Sequence, residues 1–324
     1  MNLVWQPCAM HLLTKAAVGL TALVGGTAAY SAGYEVRAFQ LRRQEIACLP
    51  AGSRQLKVLH VSDLHLTPSQ HKKAEWLRGL AALQPDLVIN TGDNLSHFES
   101  VPHVLAALGE LRDVPGVFVL GSNDYWGPVR KNPLRYLLPD GGRRRIHGPR
   151  LPSQDLRDGL TRSGWLDLSN TRGALTVDSA RIAFAGVDDP HLGYDHLDQV
   201  AGPADPSADL RIGVTHAPYL RVLDAFTRDG YDAIFAGHTH GGQLRVPAYG
   251  ALVTNCDLDT RRARGLHRHS AAGRTAWLHV SAGLGTSPYA PFRFCCYPEA
   301  NLVTLTAGPA QRGSTQVSAA AALR

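Results

Sequence analysis

The chain of 324 residues has five cysteines, none of them in a C-x-x-C pair. Cys8, Cys48 and Cys256 stand alone, and Cys295 and Cys296 are adjacent, a spacing that suits neither a usual disulfide nor a zinc clamp. The cysteines therefore leave the redox compartment open. A phosphate-cradling P-loop is also missing: residues 281–287, SAGLGTS, are rich in glycine but lack the required spacing. Nor is there a large charge excess to mark a partner. The formal net charge of +6 permits nucleic acid, an anionic membrane surface or phosphorylated substrates without selecting among them. No specific nucleic-acid partner is expected, and a monomer is.

What the chain does have is apolar residues, 44% of the total, enough for a substantial core. One large catalytic domain is expected rather than two small ones. Residues 16–33, AAVGLTALVGGTAAYSAG, carry no charge. About 20 such residues cross a bilayer, so residues 1–40 are read as a membrane anchor. The alternative is a cleaved signal peptide, because AYSAG offers small residues at a cleavage site. No twin arginine precedes the stretch, and Arg37, Arg42 and Arg43 follow it against Lys15 before it. That asymmetry leans the following domain toward the cytoplasmic face.

The most informative stretch is residues 233–242, AIFAGHTHGG, an apolar strand that stops at Gly237 and delivers His238 and His240 into a glycine-rich turn. Residues two apart on an extended chain face the same way, and neutral imidazole is a common metal ligand. Four other apolar runs end alike. VLHVSDLH ends in Asp63 and His65, LVINTGDN in Asp93, VFVLGSND in Asn123 and Asp124, and IGVTHAP in His216. Such Asp, His and Asn ligands suit hard or borderline divalent cations. Residues 74–83 and 101–111 have helical apolar spacing between the first strands, a β-α-β-α-β pattern that gathers strand carboxyl ends on one side of a parallel sheet.

In this order the five blocks resemble those of the calcineurin-like metallophosphoesterase superfamily, D-x-H, G-D, G-N-H-[DE], H and G-H-x-H, over about residues 56–307. GHTHGGQ with its downstream strands looks like the membrane-associated bacterial branch of those phosphohydrolases. The resemblance implies an α/β fold, a four-layer α-β-β-α sandwich with a dinuclear metal site at the carboxyl ends of the strands. It implies Asp63, His65 and His240 on one divalent ion, His216 and His238 on the other, Asp93 bridging, and an amide ligand, here Asn123. Manganese, iron and zinc all fit such donors. The implied activity is hydrolysis of a phosphomonoester, a phosphodiester or a lipid-linked pyrophosphate at the membrane by a metal-activated hydroxide. The alternative is a membrane protein that binds metal and a phosphorylated ligand with little turnover.

The fourth block, GSND, departs from the pattern. Without a gap, Ser122 takes the ligand position and Asn123 the usual histidine. Shifted by one residue, Asn123 meets the metal and Asp124 or His97 is left as proton donor. The remaining expectations concern the outer parts of the chain. Residues 54–307 form the metallophosphoesterase domain, residues 128–165 a basic insertion over the site, and residues 308–324 a disordered tail. In the insertion Arg143, Arg144 and Arg145 either clamp a phosphate or remain solvated. Asp188 and Asp189, which end RIAFAGVDD, either serve the site or make a turn before Pro190. His279 is expected in the core, His267 and His269 on a surface loop. The strands after residue 242 are expected in a second sheet.

Overall fold

A computed structural model describes residues 7–130 and 148–308, the side chains from residue 14 onward. Helix α1 (Pro7–Ala29) runs through further helical turns to Arg37, and its 14–37 portion is long and apolar enough to cross a membrane. Arg143, Arg144 and Arg145, and all but residue 308 of the expected tail, lie outside the described residues.

Two six-stranded sheets follow. The first contains β1 (Gln40–Leu49), β2 (Leu56–Val61), β3 (Leu87–Asn90), β4 (Gly116–Phe118), β5 (Leu166–Asp167) and β14 (Glu299–Ala307), in the order β1-β14-β2-β3-β4-β5. Strands β2 to β5 are mutually parallel, as the alternating strands and helices require. The second contains β6 (Thr171–Val177), β7 (Ala180–Gly186), β8 (Leu210–Val214), β9 (Ala233–Ala236), β12 (Gly265–Ala271) and β13 (Arg274–Val280), in the order β12-β13-β9-β8-β7-β6. Between β9 and β12, β10 (Arg245–Val246) and β11 (Gly250–Ala251) form a separate hairpin.

The strand placement corrects the sequence reading in four places. Strands β10 and β11, expected in the second sheet, pair with each other outside it. Strand β14, expected in the second sheet, is inserted in the first between β1 and β2. Strand β1, which precedes residue 54, belongs to that sheet as well. His267 and His269 lie on β12 rather than on a loop, and buried His269 places Nε2 2.7 Å from Asp224 Oδ1. The charged run before β12 hid a strand whose outward Arg268 sits over the Trp277 ring.

Alternation along the strands builds the layers. Leu59 and Val61 of β2 face α2 (His71–Gly79), α3 (Ser100–Leu108) and α4 (Ser153–Arg162), where Leu77, Val104, Leu108, Leu156 and Leu160 are buried with them. Val58 faces the other way and joins Ile89, Val117, Phe184, Ile212, Val214 and Phe235 between the sheets. Outside the second sheet, α5 (Leu220–Asp229) buries Val222, Leu223 and Phe226 against Ile234, Leu278 and Val280. The result is an α-β-β-α sandwich. Within the expected insertion, α4 and Trp165 belong to the first of these cores.

Candidate metal centre

Because β2, β3 and β4 are parallel, as are β7, β8 and β9, each set delivers its following residues to one end of the sandwich. Asp63 and His65 follow β2, Asp93 follows β3, His216 follows β8, and His238 and His240 follow β9. Five of these six, Asp63, His65, Asp93, His238 and His240, have positive φ between 41° and 68°. That conformation is uncommon for residues other than glycine, costs roughly 1–3 kcal/mol each, and persists where surrounding structure imposes it. Here the imposition is visible. His65 N donates to Asp93 O at 2.9 Å, and Asp63 N to Gly92 O at 2.8 Å, lacing the two turns together.

Asp63, His65, Asp93 and His240 each place a ligand atom within 4.8 Å of the other three. His65 Nε2 is 3.3 Å from His240 Nε2 and 3.5 Å from Asp93 Oδ2, and His240 Nε2 is 3.7 Å from Asp63 Oδ1. A second group adjoins the first. His216 Nε2 is 3.5 Å from the other oxygen of Asp93, Oδ1, and 3.3 Å from His238 Nδ1. The two oxygens of Asp93 thus face two different sets of imidazoles.

The outer hydrogen bonds decide which nitrogens face the centre. His216 Nδ1 lies 2.7 Å from Thr91 O and His238 Nε2 lies 3.2 Å from Asn255 O. Carbonyls only accept, so those nitrogens carry the protons, and in the neutral rings the opposing His216 Nε2 and His238 Nδ1 present lone pairs to each other. A proton on His216 or a metal cation resolves that opposition, and once His216 is deprotonated the facing lone pairs suit a divalent metal. The glycines fit it too. A Cβ on Gly121 would collide with Asp93 and His216, and one on Gly237 with Ser62 and Asp63, so only glycine lets these turns close around the carboxylates.

The electrostatics agree. Burial pushes His65 down to about 4 against the pull of Asp93, and it holds His238 and His240 well below the usual range, keeping all three neutral, the form that can bind a metal. His216 behaves differently. Burial works against its charge, but Asp93, Asp189 and Asp63 outweigh it and raise the imidazole to about 9. A proton on His216 offsets the carboxylates, and a divalent cation bound there would displace it. Asp93 is also buried, yet His216, His65 and two Asn123 donors hold it well below the usual carboxylate range.

In the fourth block neither Asn123 nor Asp124 takes the orientation that the shifted alignment requires. Asn123 meets Asp93 as a donor, with N 2.7 Å from Oδ1 and Nδ2 2.8 Å from Oδ2, so it presents its NH2 to the centre where a ligand would present its carbonyl oxygen. Asp124, expected as a proton donor, is fully buried. Its carboxylate accepts from the backbone N of Gly121, Asp93, Asn94 and Leu95 at 2.7–3.2 Å, so it ties the β3 and β4 turns together. His97 lies on an exposed turn, its side chain 52% accessible and its Nδ1 accepting from Glu99 N.

Ser122 Oγ donates to Asp189 Oδ2 at 2.5 Å, while Asp188 accepts from Tyr125 Oη at 2.7 Å. The His191 ring is centred 4.5 Å from that of His238, with Nδ1 3.0 Å from Tyr219 Oη. The sequence reading did not reach His191, whose only signal was its place just after DDP. His279 is buried as expected, its Nδ1 2.9 Å from His60 Nδ1.

Residues 56–242 match the family described as calcineurin-like phosphoesterase. The chain is 29% identical over 296 residues to the uncharacterized protein YpbG of Bacillus subtilis (strain 168), covering 91% of this chain and 95% of YpbG. It is 25% identical over 277 residues to the phosphodiesterase YaeI of Escherichia coli (strain K12), covering 82% of this chain and 88% of YaeI. A transmembrane protein with metallophosphoesterase domain from Bos taurus is 28% identical over 215 residues, 62% of this chain and 44% of that protein. With a match over more than half its length and the strand-end Asp and His cluster in place, the chain belongs to the calcineurin-like phosphoesterase family and is a phosphoric ester hydrolase.

Proposed function

We propose that the chain hydrolyses phosphoric esters with two divalent cations, one held by Asp63, His65, Asp93 and His240, the other by Asp93, His216 and His238. The observation that carries this reading is Asp93, whose Oδ2 faces His65 and whose Oδ1 faces His216. Bound there, such a pair of cations polarises a phosphoryl oxygen and makes hydroxide available near neutral pH. The protein's own part is positional. Asn123 holds Asp93 through two hydrogen bonds, and Asp124 fixes the turn that carries Asp93. Thr91 and Asn255 set the tautomers of His216 and His238. Nothing in this arrangement needs a cysteine or serine nucleophile.

The test is release of nitrophenol from aryl phosphate esters by purified protein stripped of metal and reloaded separately with Mn, Fe or Zn. Turnover is expected only with metal. Phosphomonoesters, phosphodiesters and lipid-linked pyrophosphates compared in the same assay identify the substrate class. A metal-loaded protein that binds these esters without hydrolysing them supports the second reading, a ligand-binding membrane protein, which the altered GSND block favours.

The 14–37 helix motivates a membrane location for this activity, with only 6% of its apolar window covered by the rest of the chain. Its foot is docked on the domain: Glu35 is buried and accepts from Cys295 N and Cys296 N, and Arg293 N donates to Ser31 O at 3.1 Å. The protein is expected to stay in the membrane fraction through carbonate washing. Recovery of a soluble chain beginning near residue 33 would show a cleaved signal instead.

A further inference from the structure

The two cation positions are unequally furnished. One has four His or Asp side chains, Asp63, His65, Asp93 and His240, whereas the other has Asp93, His216 and His238. The family pattern fills that deficit with the asparagine of its fourth block, but here Ser122 or Asn123 stands there, and Asn123 turns its NH2 toward Asp93. A buried carboxylate, Asp189, accepts from the hydroxyl of Ser122, one of the two residues at that position. We propose that Asp189 is a ligand of the cation held by His216 and His238, taking the place of the missing amide oxygen. The inference rests on the two-cation reading.

Topology is the first support. β7 lies beside β8 and parallel to it, Gly186 pairing with Val214, and Val187 N bonds Val214 O at 3.3 Å. Asp189 follows β7 by three residues, as Asp93 follows β3, while His216 and His238 follow β8 and β9 by two. Three adjacent parallel strands therefore deliver Asp189, His216 and His238 at the same end.

Burial is the second support. Asp189 has no exposed surface, and a carboxylate taken out of water requires a compensating positive charge. A divalent cation held by His216 and His238 would supply that charge.

Orientation is the third. Ser122 Oγ donates to Asp189 Oδ2 at 2.5 Å and His191 N to Oδ1 at 2.8 Å, which leaves each oxygen a further lone pair and fixes the carboxylate plane. The serine that cannot serve well as a ligand thus orients the group that can. Asp188 differs, since Tyr125 Oη engages both of its oxygens.

The experiment uses the full chain in detergent, stripped and titrated with Mn(II) alone, with bound metal counted by elemental analysis and coupling between ions read by EPR. Wild type is expected to take up two equivalents with a coupled signal. In Asp189→Ala the dissociation constant of one equivalent should rise more than about 100-fold, beyond the 10–100-fold typical of groups that only orient ligands, and the coupled signal should vanish. Asp189→Asn, which keeps an amide oxygen, should be intermediate, weakened at least tenfold. Ser122→Ala should retain both equivalents and the coupling.

Two equivalents at unchanged affinity in Asp189→Ala overturn the inference, as does a loss in Ser122→Ala equal to that in Asp189→Ala. If Asp189→Ala does not fold, judged by thermal unfolding without metal, Asp189→Asn decides, and unchanged affinity in it overturns the inference. Wild-type protein that binds one equivalent overturns the two-cation reading together with this one.

Discussion

Asp93→Asn is expected to empty both cation positions and to abolish hydrolysis, whereas His238→Ala or His240→Ala removes one ion and leaves the other. The reason is the position of one side chain between two sets of imidazoles, with Oδ2 3.5 Å from His65 Nε2 and Oδ1 3.5 Å from His216 Nε2. The amide that replaces it lacks the negative charge that neutralises two cations, and it places an NH2 toward one set. It also faces the Asn123 donors, so at least one donor is left opposing another. Metal binding lowers the pKa of water from roughly 15.7 to about 7, so losing both ions should cost several orders of magnitude in rate. Metal content per chain, measured beside activity, checks this. Two equivalents retained in Asp93→Asn, with both lost in His238→Ala, would falsify the shared-carboxylate assignment.

The second large effect concerns the leaving group. The family pattern places an imidazole after the ligand of its fourth block, and the gapless alignment puts Asn123 there. Neither alternative read from the sequence is placed to replace it, because the Asp124 carboxylate is committed to the turn backbone and His97 points toward Glu99 on an exposed turn. A positioned general acid contributes about 10²–10⁴ in rate, and only esters with poor leaving groups need it. Alkyl phosphoesters are therefore expected to turn over about 10²–10⁴ more slowly than nitrophenyl esters, at matched metal loading. Rates plotted against leaving-group pKa give the answer, a steep negative slope being expected. A flat plot would mean that another group supplies the proton, and the His191 ring, tilted against His238 at 4.5 Å, would be the first to substitute.

The residues at the ends of β2, β3, β8 and β9 were legible because a ligand block is a local pattern. An apolar strand followed within a few residues by Asp or His describes both the element and its chemical end, and parallel order then brings those ends together. The same locality limits what can be read. Period-two alternation tells that residues 299–307 form a strand but not which sheet admits it, since pairing between β14 and β2 joins residues far apart in the chain. Strand β1 was hidden for the same reason, its partner being β14.

Within the site, identity and position in the chain did not distinguish roles. Asp93 and Asp124 both follow strands of the first sheet, yet one faces the imidazoles and the other accepts backbone N–H groups, a difference set by how the β3 and β4 turns pack. Asp188 and Asp189 are neighbours with opposite directions on one turn, and only contacts to Tyr125 and Ser122 separate them. The sequence by itself determined the family, the strand-end Asp and His residues and an N-terminal stretch apolar enough to span a membrane, because each is written in contiguous residues. Only the tertiary structure decided the membership of the sheets, the direction of Asn123, the burial of Asp124, the contact of Asp189 with Ser122 and the approach of His191 to His238. Those depend on contacts between segments distant in the chain, which the local order of residues does not specify.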